Sequence, residues 1–579
     1  MIDTVQQRGF GAHRPAPKQG GRSLVTVLNF VTESHTRAVA LLVVCGALFF
    51  LPGLFNIPPI DRDEARFAQA SKQMVETGDF VDIRFQDEVR YKKPVGIYWL
   101  QAAVVESASK LGLPRAQIRI WLYRIPSLIG AIGAVLLTYW AALAFVTRRG
   151  AVLAALVMCS CVMLGIEARL AKTDAVLLMT TTAVMGAMAR VYLSWQRGEE
   201  SSQSLALPAI FWTAIAGGIL IKGPLILMFA ALTIVALAIR DRSLEWISRL
   251  RPIAGIAWVL LIALPWFVAI YLKSGESFFA DSLGGDMLNK ISRPQEAHGA
   301  PPGYYFLLFW LTFWPGSALA GMAAPAVWRA RREPGAQFLL AWVVPAWIVF
   351  EIVITKLPHY VLPLYPALAI LIVGVLERRM LAQRPWMVRG TSWWFVLPTI
   401  LSVASIIMAI TLLRQPAFAA WPFAAAAMIF GLFAWWMYDD YRAERSLLNA
   451  VAASWALGTC VWGIVVPSLT PLFPSVEIAR ALRNVECVGP VAAAAGFGEP
   501  SLIFMVGTQT LLTNGSGAAD FLQQGSCRFA LVEWREEKAF AQRAETIGLH
   551  YAVTTRIEGY NYSIGRSASI AVFRSEDTQ

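Results

Sequence analysis

The stretch IDRDEARFAQ, residues 60–69, sets the carboxylates of Asp63 and Glu64 and the guanidinium of Arg66 close behind Asp61. Carboxylates in this pattern can serve as a general base or bind a cation. Asp61 or Asp63 can equally cap a helix start, a role worth about 1 kcal/mol. A second stretch, VRYKKPVGIYW, presents Arg90, Lys92 and Lys93 ahead of Pro94, which breaks any helix. Cations gathered there suit a phosphate or pyrophosphate headgroup, and anchoring to anionic lipid is the alternative.

Two further stretches, ARLAKTDAVLL and GGILIKGPLIL, place Asp174 and Lys222 beside apolar runs with few polar neighbours. A lone lysine at membrane depth requires an anionic partner, either a protein carboxylate or a bound phosphate. TKLPHYVLP sets Lys356, His359 and Tyr360 around a proline at a membrane entrance. A lysine and a tyrosine together can hold a phosphate oxygen, whereas Tyr360 alone would also fit an aromatic belt. His298 completes the set, in a segment rich in Gly and Pro.

The elements that must position these residues are membrane helices. The chain has 579 residues, of which 57% are hydrophobic and only 15% charged. A soluble domain usually carries about a quarter charged residues. The repeated apolar runs match the roughly 20 residues needed to cross a bilayer as a helix. Spans are expected near 38–55, 123–146, 151–167, 175–194, 206–221, 223–239, 252–272, 304–326, 337–354, 359–376, 393–413, 418–438 and 447–469. The expected fold is an α-helical polytopic membrane protein of about thirteen transmembrane helices with a small C-terminal α/β domain.

Net charge is +12. The basic residues fall in short loops at 148–149, 197, 240–251, 329–332, 378–389 and 442–445, each containing Arg. This is the pattern of cytoplasmic loops, and it excludes nucleic-acid binding as the reason for the charge. The segment 1–37 is polar and basic, the apolar run after it lacks a cleavage pattern, and the N-terminus is expected in the cytoplasm. The candidate residues then all map to the opposite face. Two long loops, 56–122 and 273–303, and the tail 470–579 lie on that face too, so the transmembrane domain is expected over 38–469. Within 56–122, DEARFAQASKQMVETG reads as a helix and 97–110 as an amphipathic stretch along the interface.

The tail opens on Pro467, Pro471 and Pro474. SVEIARALRN and EEKAFAQRAETIGL read as helices; PSLIFMVG, CRFALVEW and SASIAVFR read as strands. Its two cysteines, Cys487 and Cys527, can pair if their Cα atoms approach. Cys45, Cys159, Cys161 and Cys460 lie in spans and read as packing residues.

The ordered set of motifs resembles the bacterial lipid-A aminoarabinose transferases. More broadly it is similar to the polyprenyl-phosphate-sugar glycosyltransferases of the GT-C class, which include protein O-mannosyltransferases. The residues that carry the resemblance are Asp63-Glu64-Ala65-Arg66-Phe67, Lys93-Pro94 with Tyr98-Trp99, Lys222-Gly223, and the Lys-Leu-Pro-x-Tyr-x-x-Pro element from Lys356 to Pro363. It runs from about residue 38 to 376. The resemblance implies a GT-C fold with a periplasmic C-terminal domain in the bacterial inner membrane. It implies a donor of undecaprenyl phosphate carrying one sugar, and an inverting transfer to a glycolipid such as lipid A or its core. Asp63, with Glu64, would be catalytic. Arg66, Lys93, Lys222, Lys356 and Tyr360 would surround the donor phosphate, supported by Asp174, His298 and His359.

Two positions depart from the aminoarabinose transferase pattern. An acid often precedes the Lys-Pro there and can join a His, resembled here by His298, in holding a metal; this chain has Lys92 instead. No metal or other cofactor is assigned on this basis. The residue after the Arg is Phe67 where Tyr is more usual, so a hydroxyl is missing. Two alternatives remain: a protein acceptor with the same donor, and a transporter of a lipid-linked precursor. Transporters usually show related halves with midplane sites, and neither an internal repeat nor a midplane cluster is visible here.

Overall fold

The computed structural model describes residues 24–200, 203–282, 299–413, 417–438, 442–485, 487 and 489–576. All thirteen expected apolar runs are helical over most of their length. Among the described residues, eight helical spans are individually long and apolar enough to cross a membrane, and nine if one bent pair is counted as a span. The protein is therefore a multi-pass membrane protein, but this count falls short of thirteen. The physical reason is length. His35–Phe50 has 16 residues and Ala206–Lys222 has 17. At 1.5 Å per residue these helices are about 24–26 Å long, short of a hydrocarbon core of roughly 30 Å.

Two expected spans are broken. The run 151–167 divides into helices Arg148–Cys159 and Val162–Glu167. The run 304–326 divides into Tyr304–Thr312 and Ser317–Ala330, bent by 119°. A backbone freed from its helix in an apolar medium must find other partners. Here the two breaks supply them to each other. Val162 N–H donates to the Trp314 carbonyl at 3.2 Å, and the Cys161 thiol donates to the Thr312 carbonyl at 3.1 Å.

The segment 56–122 carries helix Asp63–Thr77, a short hairpin of β1 (Arg84–Phe85) and β2 (Glu88–Val89), and helix Gly96–Lys110. Two glycines let these elements approach the spans closely. A Cβ on Gly96 would lie 2.7 Å from the Leu220 carbonyl oxygen, and one on Gly130 would lie 2.8 Å from the backbone at Val176. The first contact sets the start of helix Gly96–Lys110 beside the end of helix Ala206–Lys222. The second draws helix Ile120–Ala142 against the start of helix Asp174–Gln196. Both therefore place site residues.

The C-terminal domain is a five-stranded sheet. Its strands are β3 (Val491–Ala495), β4 (Leu511–Thr513), β5 (Arg528–Glu533), β6 (Tyr551–Asn561) and β7 (Arg566–Ser575), in spatial order β4-β3-β5-β7-β6. β3 runs parallel to β4 and β5, and β7 runs antiparallel to β5 and β6. Alternation divides the two cores: Ala493, Ala495, Ala530 and Val532 face one side, while Ala492, Ala494, Phe529 and Leu531 face the other. Cys487 and Cys527 are disulfide-bonded with Cα atoms 5.9 Å apart. They precede β3 and β5, whose pairing of Val491 with Arg528 brings them together.

The expected helices at Pro474–Arg483 and Glu537–Ile547 are present, as are the strands in CRFALVEW and SASIAVFR. PSLIFMVG is a correction: Pro500–Val506 is a helix. A short apolar run does not distinguish strand from helix by periodicity, and Pro500 sits at the helix start, where its missing N–H costs nothing.

Candidate functional site

Helix Asp63–Thr77 begins at an unusual turn. Arg62 adopts φ 71°, ψ −112°, a conformation L residues rarely hold. Glycine reaches this region freely because it has no Cβ. The next residue, Asp63, is exposed. Its neighbour Glu64 is 1% exposed and fully bound. Arg124 reaches Glu64 through Nε at 2.7 Å and Nη2 at 2.8 Å, and the N–H groups of Ile60 and Ala171 each donate to it at 2.9 Å. The rest of the Arg124 guanidinium donates to the carbonyls of Leu54, Ile57 and Pro58. Every donor and acceptor of the pair is thus committed. This corrects the expected catalytic role of Glu64: it ties loop, helix and span together and has no lone pair left for substrate.

The acidic and basic groups near Asp174 form a second cluster. Asp174 opens helix Asp174–Gln196 and pairs with Lys222 at the end of helix Ala206–Lys222. His359 lies between two carboxylates, with Nδ1 3.5 Å from Glu167 and Nε2 3.5 Å from Asp174. Lys172 lies 3.2 Å from Glu167 and 3.8 Å from Asp174. Burial alone would depress the Lys172 pKa, but Glu167 and Asp174 outweigh it and, with a contribution from Asp63, hold it above the ordinary lysine value. Asp63 precedes Glu64, which accepts from Ala171 N–H next to Lys172, so its turn adjoins the cluster. Tyr360 is adjacent, its ring centroid 5.6 Å from the Lys222 ammonium and 5.2 Å from His359.

The remaining expected residues divide. Lys93 is half-buried and precedes Pro94, whose ring would stand 3.9 Å from a Cβ on Gly223. The Lys93-Pro94 and Lys222-Gly223 motifs are therefore neighbours in space. Arg66 is half-buried in the first turns of its helix, and Phe67 packs against Tyr98 at 5.4 Å with the Arg90 guanidinium 5.0 Å from its face. Lys356 is a correction. It is 3% exposed, and its ammonium donates to the carbonyls of Phe350, Glu351 and Val353, capping helix Pro334–Ile352. Those bonds take its three donors, leaving none for phosphate. His298 lies outside the described residues.

Glu167, Lys172, Arg124, Ser501 and Tyr562 are partners that the sequence reading did not select. Glu167 and Lys172 had a signal: four charged residues, Glu167, Arg169, Lys172 and Asp174, crowd one short link between apolar helices. The ligand atoms of Glu167, Asp174 and His359 lie within 4.8 Å of one another, a donor set that could hold a metal ion. The ammonium groups of Lys172 and Lys222 already supply the countercharge there. A divalent cation would have to displace them, so the donor set fits a metal poorly.

The C-terminal domain meets this site directly. Ser501 N–H donates to Asp61 Oδ1 at 2.9 Å, Asp61 N–H donates to the Tyr562 hydroxyl at 2.6 Å, and Arg62 Nη2 donates to the Ser563 carbonyl at 2.9 Å. Burial pushes the Asp61 carboxyl up to about 6, despite the hydrogen bond from Ser501. Along helix Asp63–Thr77, Gln69 binds Thr508 at 2.8 Å and Lys72 binds the Phe504 carbonyl at 3.2 Å.

A helical membrane body with a charged cluster at the helix ends, a long first loop and an α/β domain docked on that loop has the GT-C fold. Over 93% of its length the chain superposes, at TM-score 0.71 and 19% identity, on 98% of the crystal structure of ArnT from Cupriavidus metallidurans bound to undecaprenyl phosphate. Residues 59–276 match the dolichyl-phosphate-mannose-protein mannosyltransferase family. The chain is 29% identical over 340 residues to the undecaprenyl phosphate-alpha-4-amino-4-deoxy-L-arabinose arabinosyl transferase of Aeromonas salmonicida, covering 56% of this chain and 58% of that protein. It is 28% identical over 349 residues to the Yersinia pestis transferase of the same name, covering 57% and 58%. These alignments therefore span less than two thirds of either relative. The chain is thus similar in sequence to aminoarabinose transferases over part of its length and in fold to ArnT over nearly all of it.

Proposed function

We propose that this chain is an inverting glycosyltransferase that moves one sugar from an undecaprenyl-phosphate donor to an envelope glycolipid such as lipid A. It would work at the periplasmic face of a bacterial inner membrane, with the N-terminus in the cytoplasm. One observation carries this reading: Asp174, Lys222, His359 and Tyr360, from separate segments, meet in one cluster, and the turn that carries Asp63 is tied to its edge through Glu64 and Ala171 N–H. The resemblance to proteins that use this donor class supports it.

The chemistry follows from the charges. An acceptor oxygen forms a bond to the anomeric carbon while the bond from that carbon to the phosphate oxygen breaks. The leaving undecaprenyl phosphate keeps the electron pair. Lys222, with Lys93 and Arg66 nearby in the first loop, would stabilise the charge gained by that oxygen. Lys222 must exchange its bond with Asp174 for one with phosphate, and the imidazole of His359 beside Asp174 can compensate for the loss. When the acceptor is a hydroxyl, exposed Asp63 takes its proton. When the acceptor is an ionised phosphate, no base is needed and Asp63 balances charge.

The match to the protein mannosyltransferase family over residues 59–276 favours a second reading, in which a protein hydroxyl is the acceptor. Mass spectrometry of envelope lipids and proteins, from cells with and without this chain, separates the two. Asp63→Asn should abolish the added sugar while the protein stays folded; full transfer by that variant would remove Asp63 from the mechanism. Transfer by purified protein in detergent, with no sealed membrane, would exclude pure transport.

A further inference from the structure

We infer that the C-terminal domain positions the catalytic carboxylate: the Tyr562 hydroxyl and the Ser563 carbonyl, at the β6–β7 hairpin tip, hold the Asp61–Arg62 turn in the shape that presents Asp63. The inference rests on the reading of Asp63 given above. Its basis is the placement of the contacts. Docking of the domain is already served by Gln69 on Thr508, Lys72 on Phe504, and Gln86 on the carbonyls of Thr508 and Thr510. The hairpin tip adds bonds elsewhere, on Asp61 N–H and the Arg62 side chain.

Those are the residues whose backbone needs holding. A non-glycine residue at φ 71°, ψ −112° persists only where its surroundings over-determine it, and such strain gathers at functional sites. Arg62 is gripped from both sides. Behind it, Tyr562, Ser501 and Ser563 fix residues 61 and 62. Ahead of it, Glu64 accepts from Ile60 N–H at 2.9 Å and is locked to Arg124. Asp63 is the exposed residue between the two grips. The hairpin tip is itself built stiffly: Asn561 donates to the buried Glu499 at 2.9 Å and accepts from Ser563 N–H at 3.0 Å. Tyr562 is thus a positioning residue that acts through the turn and does not touch substrate.

The test uses the full-length protein and a substitution that relieves the strain. In Tyr562→Phe the acceptor for Asp61 N–H is lost, the turn relaxes, and the sugar added to envelope acceptors by cells should fall about tenfold. Binding of undecaprenyl phosphate to the purified variant should stay at the wild-type value and its unfolding temperature should fall by no more than a few degrees, so the lost transfer is not lost folded protein or lost donor affinity, which a merely structural role would require. Adding Arg62→Gly lets the backbone hold the same turn without strain, so the double variant should regain most of the transfer. Arg62→Ala, which keeps the Cβ and loses the Ser563 contact, should not rescue. Wild-type transfer by Tyr562→Phe overturns the inference, as does a double variant no better than the single one. Asp63→Asn, run alongside, keeps the two ideas separate. An active Asp63→Asn protein sinks the mechanism, while an inactive one with a normal Tyr562→Phe protein sinks only the positioning role.

Discussion

The protein contains two buried ion-pair systems, Glu64 with Arg124 and the group around Asp174, and they are built on opposite principles. In the Glu64–Arg124 pair every lone pair and every N–H has a partner at 2.7–3.0 Å. In the Asp174 cluster several contacts are loose, 3.5 Å to His359 and 3.8 Å to Lys172, and Glu167 Oε2 has no hydrogen-bond partner among the described residues. A saturated pair cannot respond to a ligand without unfolding something. An unsaturated cluster with two lysines and a histidine can exchange partners at small cost. The difference fits the proposed function, in which the first is scaffold and the second the site, although both contain carboxylates and cations.

The sharpest way to break this comparison is to delete one partner from each. Glu64→Ala leaves Arg124 charged, buried and unpaired, and should destabilise the protein by about 3–5 kcal/mol, read from thermal unfolding in detergent. Asp174→Asn keeps the side-chain volume, and Glu167 remains beside Lys172 and His359, so it should destabilise clearly less than Glu64→Ala; equal destabilisation by both substitutions would erase the distinction. Asp63→Asn should cost about a thousandfold in transfer without loss of fold, the range expected for a positioned base. Lys222→Met should lower transfer about a hundredfold, as for loss of one charge-stabilising donor, and should weaken binding of undecaprenyl phosphate.

Smaller effects sharpen the comparison. The folded Asp61 carboxyl sits at about 6, above its ordinary value, because burial favours the protonated form. The stability of the buried protonated form is therefore full at acid pH and is lost as pH rises through about 6. The unfolding temperature should be higher at pH 5 than at pH 7.5 by a few degrees, and Asp61→Asn should flatten that step. The smallest expected effect is that of metal removal. Because Lys172 and Lys222 provide the countercharge at Glu167 and Asp174, EDTA should leave transfer within about twofold of its starting value. Loss of activity that a divalent metal restores would instead make Glu167, Asp174 and His359 a ligand set.

The candidate residues were legible before the structure, but which of them meet was not. Asp63, Asp174, Lys222, His359 and Tyr360 stand out because charged and aromatic residues at membrane depth need a reason to be there. Glu64 and Lys356 stood out for the same reason and turned out to have structural partners. Little local separates Lys356 from Lys222: Lys222 ends one apolar helix and Lys356 follows another by four residues. One meets the carbonyls of its own helix end, and the other meets Asp174, 48 residues away in sequence. The hairpin at Tyr562 carried no signal, since its contact with Asp61 spans 501 positions.

The sequence by itself determined the medium, the helical segments and the inventory of groups with chemistry to offer. Those depend on composition and on local periodicity, which lipid enforces by forbidding unpaired backbone. The breaks at 160–161 and 313–316, the choice of partner for each buried charge and the turn at Arg62 were decided only by the tertiary structure. Each of these depends on which distant backbone or side-chain group arrives to satisfy a desolvated polar atom, and spacing along the chain does not encode that arrival.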